Sequence, residues 1–511
     1  MSRSLRMRSL LSVAALGLTL TAAADAFGQS SGATADVPNS TSPQKTASSG
    51  SKASTPLGTA PRILTGNVGN YPLIVPSKLT NGSEANKAAN KTGADNNSAN
   101  SNSADNATPP PTPSPSPQSQ LSQFSDRTFS RARNAPQQFN VTAIKIIDHV
   151  NGLIGGFDQG AGFGFGLELT TASGGDLKGY ELYARAMGST RGYRSGELGA
   201  RVGNNNTRGE VWFNYTRRTR DNFFDIGPLT PKFPETNFAT ERRSYNGLFA
   251  HRFSPRLEAG LYGSFSSTGS FRGEDDKDIP IDALFSGNPN AAPITSFLPG
   301  LGQNARLVSY GVFTELDLRN NESGLTKGGY FYGRVGSVDA VDTDNAFSDF
   351  GWIETELDGR VYIPILSNKT SLALRSYAVL REPKGGSQIP FYEQAFFGGR
   401  STGRGFKNFR FRANNSVLFA GEVRQTVWSM NDENTRGLDL IVFGETGQVW
   451  GDNRSKTNPA ILANDFFDTR NYRTGFGGGF QYRLNKNVAF RIEVGASNER
   501  TLPYISLRPG F

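Results

Sequence analysis

Apolar and polar residues alternate one by one along most of the chain from residue 160 to residue 511. A period of two is typical of β-strands that bury one face and expose the other. The alternation is clearest near the end of the chain, where Phe490, Ile492 and Val494 alternate with Arg491 and Glu493. The pattern predicts fifteen strands, in the ranges 160–171, 178–189, 191–203, 207–218, 241–252, 256–268, 305–319, 327–340, 350–363, 369–382, 414–428, 438–450, 473–484, 487–498 and 503–511.

The connections between these strands alternate between long and short, as extracellular loops and periplasmic turns do in outer-membrane barrels. With both chain ends on the periplasmic side the number of strands must be even, so a sixteenth strand is expected within 139–158. A short amphipathic helix is the open alternative there, because Val141, Ile144, Ile147 and Val150 recur every three residues. The long connections are 219–240, 269–304, 341–349, 383–413 and 451–472.

The sequence therefore predicts an all-β fold, a 16-stranded antiparallel transmembrane β-barrel formed by residues 160–511 and preceded by a disordered N-terminal region. Residues 136–159 are predicted to be a short connecting helix or the first strand. Residues 27–135 are rich in Ser, Thr, Asn, Ala and Pro, and such a composition is too polar to bury a core. They are predicted to be a low-complexity, disordered periplasmic segment.

Near the start of the chain, Arg3, Arg6 and Arg8 precede an apolar run and the small-residue site Ala24-Asp25-Ala26. This is the pattern of a secretory signal peptide over residues 1–26. Further on, residues 61–79 are more apolar than their surroundings. This patch is either a loose piece of linker or a docking segment for a periplasmic partner.

Composition favours a barrel over other membrane protein classes. Glycine accounts for 59 of 511 residues and aromatic residues for 11%. After the N-terminus no apolar run reaches about 18 residues, the length of a membrane-spanning helix. The net charge is +9, but the sequence has no basic tract with interleaved aromatics, so nucleic acid is not an expected partner. The charge fits a polar barrel interior and contact with anionic outer-membrane lipids.

The residue types give little support to enzymatic chemistry. The run from Gly399 to Gly403 matches the GxSxG elbow of serine hydrolases, but that elbow needs a following helix and a basic partner. The chain contains two histidines, His149 and His251, and no cysteine. Catalysis, a metal site and a bound cofactor are therefore not expected.

Charged residues occupy one face of the strand-like run 414–428. Glu422, Arg424 and Trp428 share this face, and the other face is largely apolar. If the apolar face meets lipid, Glu422 turns toward the interior, where a carboxylate needs a cation beside it. Glu445 has a similar place in the next run, although Phe443 shares its face.

Upstream of these carboxylates, Arg404, Gly405 and Phe406 form an RGF motif in a long glycine-rich connection. With Glu422 and Glu445, this arrangement resembles the bacterial surface antigen barrel of the BamA/TamA superfamily of outer-membrane assembly and translocation proteins. The resemblance implies that the loop folds back into the barrel and that its arginine pairs with both carboxylates. An ordinary ion pair in a polar-lined barrel is the alternative. The chain departs from the family in having Glu rather than Asp at position 445 and in an N-terminal region unlike folded periplasmic repeats.

The final predicted strand carries Tyr504 and ends at Phe511, and a C-terminal aromatic is typical of the last strand of outer-membrane barrels. The resemblance implies a protein of the Gram-negative outer membrane that assembles, inserts or translocates proteins, with the RGF loop as a structural or gating lock. Its substrates would be unfolded outer-membrane or secreted proteins. A passive channel for small solutes is the alternative, favoured by the missing periplasmic repeats.

Overall fold

The computed structural model describes the C-terminal part of the chain. The signal peptide, the low-complexity segment and the 61–79 patch predicted from the sequence lie outside the described residues, and so does Phe511. The described ranges are 140–147, 150–156, 161–171, 180–204, 206–275, 277–291, 296–319, 327–343, 349–365, 369–430, 436–451, 466–484 and 489–506.

Strands make up nearly all of the regular structure. The helical elements of the described ranges are 3-10 turns of three residues each, at Ile281–Ala283, Pro289–Ala291, Phe391–Glu393 and Thr469–Asn471. Within those ranges no helix is long and apolar enough to cross a membrane. The strands are β1 Asn140–Ile147, β2 Val150–Gly156, β3 Gly164–Thr170, β4 Tyr180–Ser189, β5 Arg194–Gly203, β6 Thr207–Phe223, β7 Thr236–Ser254, β8 Leu257–Arg272, β9 Ile279–Pro280, β10 Phe285–Ser286, β11 Ser296–Phe297, β12 Asn304–Asp317, β13 Gly328–Thr343, β14 Gly351–Pro364, β15 Thr370–Pro383, β16 Ala395–Phe397, β17 Phe411–Ala413, β18 Asn415–Ser429, β19 Gly437–Trp450, β20 Arg473–Arg483, β21 Ala489–Ser497 and β22 Thr501–Ser506.

One large sheet contains all the long strands, each paired antiparallel with the next along the chain. It runs from β1 to β8, continues through β12 to β15 and ends with β18 to β22. The short strands β9 to β11, β16 and β17 belong to the long connections. The predicted all-β antiparallel class is confirmed. In the described part of the chain the sheet has seventeen such strands, one more than the sixteen expected.

The additional strand comes from the segment predicted to hold a helix or a single strand, and that expectation is corrected. Residues 140–147 and 150–156 form a hairpin, with Asn140 opposite Gly156 and Ile144 opposite Gly152. Both strands favour extended backbone, because β-branched residues dominate the first and glycines interrupt any helix in the second. The recurrence of apolar residues at every third position was therefore not a sign of a helix in this segment.

Buried and exposed side chains alternate along the long strands, and many of the exposed ones are large and apolar. On β19, Ile441 and Phe443 are buried, whereas Leu440 and Val442 between them are exposed. This alternation matches a wall whose outer surface is apolar and whose inner surface is polar. On β18 a bulge between Thr426 and Trp428 shifts the register by one residue. Trp428, predicted to share the face of Glu422, is consequently exposed on the outside.

Long connections fold back onto the sheet and join strands that are far apart in it. The connection between β6 and β7 reaches the turn between β21 and β22, where Nζ of Lys232 donates to the carbonyl of Glu499 at 2.8 Å. Nη2 of Arg473 on β20 donates to the carbonyl of Pro228 in the same connection at 3.0 Å. Strands far apart in the sheet are thus bridged by one segment, so the sheet curls around its insertions.

A hydrophobic core lies where three of these connections meet. It joins the ends of β6 and β7 to the segment between β8 and β12 and to the connection that follows β15. Its rings pack edge to face, with centroids 5.3 Å apart for Phe223 and Phe391. The buried members are Phe223, Ile226, Phe238, Ile281, Phe285, Leu298, Leu301, Phe391 and Tyr392.

Candidate functional site

The candidate site is formed by the connection between β15 and β18, residues 384–414. Its middle is a ribbon of β16 and β17, beyond which residues 398–410 form the loop tip. The amide of Gly399 donates to the carbonyl of Gly403 at 3.1 Å, and the amide of Gly403 donates back at 2.9 Å. Gly399 and Gly405 have φ values of 97° and 96°, in the left-handed region that favours glycine. The glycines of this sequence therefore permit a turn that other residues would strain.

Phe406 fixes the loop tip by burying its ring. The side chain is fully buried, with its ring centroid 5.6 Å from that of Phe397 and 5.8 Å from that of Phe411. Leu418 and Val449 of the neighbouring strands complete the cluster. The motif's aromatic residue thus ties the tip to both its own ribbon and the sheet.

Arg404 meets three carboxylates. Its amide donates to Oε2 of Glu445 at 2.6 Å, and its Nε donates to Oε1 of the same side chain at 2.7 Å. Nη1 donates to Oε2 of Glu422 at 3.1 Å and also to Glu493. None of the four side chains is more than 5% exposed. The loop arginine is therefore enclosed by β18, β19 and β21.

Two further arginines balance the charge. Nε of Arg424 donates to Glu422 at 2.6 Å, and Nη2 of Arg491 donates to the same carboxylate at 2.6 Å. Arg491 also bonds Glu493. Together with Arg404, these residues form a charge cluster of three guanidinium groups and three carboxylates. Ionised groups can be buried when each is paired and hydrogen-bonded, and this cluster meets that condition with no net charge.

An aromatic ring lies under the loop arginine. The guanidinium carbon of Arg404 is 3.4 Å from the ring centroid of Phe443, in the geometry of a cation–π contact. Burial alone would lower the pKa of Arg404, but the surrounding carboxylates raise it above its ordinary value. Arg404 is consequently a permanent cation in this position, and the site is suited to holding a loop in place.

Glycines in the wall make room for the loop tip. A Cβ at Gly475 on β20 would overlap the carbonyl oxygen of Arg404, and a Cβ at Gly495 on β21 would lie 3.0 Å from Cβ of Arg404. A Cβ at Gly405 itself would lie 2.7 Å from the backbone of Ala496. The tip thus lies directly on the backbone of the last strands, which only residues without a side chain allow.

The structure places the predicted residues Arg404, Gly405, Phe406, Glu422 and Glu445 in one site. Their function as a lock stays a prediction. Tyr504, predicted as part of a C-terminal strand signal, lies in the same site with its hydroxyl on the loop tip.

Sequence reasoning missed Glu493 and Phe443 as partners of Arg404. Glu493 was visible only as an inward position of its strand, next to Arg491. Phe443 looked like evidence that Glu445 is not a partner of Arg404, because it put an apolar residue on the same face of the strand. The structure gives that ring a partner in the guanidinium above it.

Comparison with known proteins gives matches among solved structures and among protein families. No curated protein matches the chain. Among solved structures, BamA from Haemophilus ducreyi lacking POTRA domains 1–3 is similar in fold, with a TM-score of 0.49, 13% identity and 76% of each chain covered. CdiB from Escherichia coli has a TM-score of 0.44 and 11% identity, covering 76% of this chain and 68% of its own. CdiB from Acinetobacter baumannii has a TM-score of 0.41 and 13% identity, covering 72% of this chain and 60% of its own.

The family comparison covers the site itself. Residues 301–499 match the Omp85 superfamily domain. This segment includes the loop tip and all six members of the charge cluster. The similarity to the Omp85 superfamily domain thus concerns the part of the chain that contains the candidate site.

Proposed function

We propose that this protein is an outer-membrane β-barrel that assembles, inserts or translocates protein substrates, and that its loop tip is a lock inside the barrel. The observation that carries the proposal is the burial of Arg404 in a neutral cluster contributed by β18, β19 and β21. A connection that merely joins two strands does not need three carboxylates to receive one arginine. The matched Omp85 superfamily domain contains this cluster.

Outward-facing residues support a location in the outer membrane. Phe476 and Phe480 on β20 and Ile492 on β21 are each at least 45% exposed, although both strands are paired with a neighbour on each side. Surface of this kind would be costly in water and is suited to lipid tails. Outer-membrane lipids are accordingly the partners of the wall, and unfolded outer-membrane or secreted proteins are the proposed substrates.

A reconstituted folding assay tests the proposal. The full chain is placed in lipid vesicles, and a urea-denatured eight-stranded outer-membrane barrel protein is added by dilution. Folding of the added protein is followed by its heat-modifiable mobility on gels. We expect faster folding than in empty vesicles, and a smaller gain with Arg404→Ala at the same amount of correctly inserted protein.

The same vesicles test the passive channel for small solutes. A lock inside the barrel predicts low, intermittent ion conductance for the wild-type protein. Steady conductance with no acceleration of folding would favour the channel and count against the assembly function. For translocation, a photo-crosslinking residue at the exposed Ile505 would identify proteins that contact the last strand.

A further inference from the structure

The loop tip binds the last hairpin, β21 and β22, through its backbone. The amide of Gly405 donates to Oη of Tyr504 at 2.8 Å. The carbonyl of Gly405 accepts from Oγ of Ser497 at 2.7 Å. Tyr504 is buried, so this hydroxyl lies within the molecule against the tip. Both polar backbone groups of one loop residue are therefore satisfied by a single hairpin.

Further contacts hold the same hairpin at its turn. Nε of Arg410, at the end of the loop tip, donates to Oε2 of Glu499 at 2.7 Å. The guanidinium of Arg410 also donates to both oxygens of Thr230 in the connection between β6 and β7. Lys232 of that connection donates to the carbonyl of Glu499. The tip thus contacts the hairpin at Tyr504 and at its turn, and the hairpin is joined to the connection between β6 and β7.

The last hairpin is held in the wall by its strand ladders as well as by the loop tip. In the described part of the chain, β21 pairs with β20 on one side and with β22 on the other. Contacts from the loop tip add to these backbone hydrogen bonds, so losing the contacts should make local opening of the hairpin easier.

We propose that Tyr504 and Ser497 are positioning residues that couple the loop tip to the last strand. While the tip is docked, the last hairpin is held against the interior. When the tip leaves, Gly405 is released and the hairpin loosens along its whole length. The coupling itself does not depend on the proposed function. Its use does, because the loosened hairpin would admit a substrate at the last strand when the lock opens.

Amide hydrogen exchange on the purified full chain in detergent tests the coupling from the hairpin side. Tyr504→Phe and Ser497→Ala each remove one hydroxyl and leave the fold's packing largely intact. Losing a buried hydrogen bond should raise exchange around Gly405 and Phe406 about fivefold or more. Ser497→Thr keeps the hydroxyl and should restore protection. The matched control is Tyr183→Phe, since the Tyr183 hydroxyl is equally buried but donates to Glu210.

The same measurement tests the coupling from the loop side, since coupling between two sites is reciprocal. Arg404→Ala should raise exchange throughout residues 489–506, with no comparable rise in β8. Adding Tyr504→Phe should then have little further effect, because the tip has already left. Unchanged exchange in the last hairpin, or an equal rise over the whole sheet, would overturn the proposal. No substrate is used, so a failed folding assay leaves this result intact.

Discussion

Replacing Arg404 by alanine leaves three buried carboxylates facing two guanidinium groups. Removing one partner of a buried ion pair costs about 3 to 5 kcal/mol, compared with about 0 to 1 kcal/mol for an exposed pair. The buried range applies, because the side chains concerned are at most 5% exposed, and the lost contact with Phe443 adds to the cost. A loss of about 4 kcal/mol corresponds to a shift on the order of a thousandfold in loop docking.

Limited proteolysis measures this shift. In the wild-type protein the backbone near Phe406 is buried and should resist cleavage, whereas Arg404→Ala should be cut there rapidly while the sheet remains heat-modifiable. Single-channel conductance should rise in parallel as the loop leaves the interior. Arg306→Ala is the control, since its pair with Asp342 is half exposed on both sides and its loss should leave both readouts unchanged.

A second substitution checks that charge imbalance is the cause. Glu445 pairs with the loop arginine, while Glu422 and Glu493 keep Arg491 as a common partner. Arg404→Ala with Glu445→Gln therefore leaves two cations and two carboxylates, and it should recover part of the lost protection. If Arg404→Ala alone is as protected as the Arg306→Ala control, the loop is not held by its arginine and the reasoning fails.

Three further predictions concern packing. Gly475→Val should displace the loop tip, because its side chain would overlap the loop backbone, whereas Gly444→Ala has no atom within 4 Å of the added Cβ and should be neutral; protease access near the tip distinguishes them. Phe406→Ala removes a fully buried ring and should weaken loop docking by about 3 to 5 kcal/mol, with the 74% exposed Phe467→Ala as the silent control in the same assay. Val442→Arg on the outer face should reduce stability in vesicles by about 2 to 4 kcal/mol if this position lies at the bilayer midplane, and denaturant-dependent unfolding measures the loss.

The alternation along each strand was enough to predict which way the carboxylates point, but not to identify every partner of Arg404. Alternation put Glu422 and Glu445 on the inner face, since each strand has one apolar side. It could not show that the loop reaches across to Glu493, because this depends on how far the loop extends over the sheet. The intervening strand β20 carries Gly475, and the importance of this glycine appears only when the loop backbone lies on it.

Local irregularities account for the other differences between prediction and structure. The bulge before Trp428 reverses the face of that side chain, and a bulge leaves no mark on simple alternation. Strands β6 and β7 have 17 and 19 residues, well beyond the predicted 207–218 and 241–252. Their extensions mix polar residues with Phe223 and Phe238, which pack into the core between the long connections, so simple alternation is lost there. The buried pair Arg218 and Asp221 also supports the extension of β6.

The hairpin of β1 and β2 makes the number of long strands in the described sheet odd. The seventeen long strands of the described residues each reverse direction, so the first and the last point the same way, and β1 and β22 could join only as parallel neighbours. β2 and β22 point in opposite directions, and an antiparallel ring of sixteen strands would need β1 to give up the edge that it now occupies. Among the described strands, Asn140–Ile147 is therefore the segment whose pairing would decide between a ring of sixteen strands and a ring of seventeen.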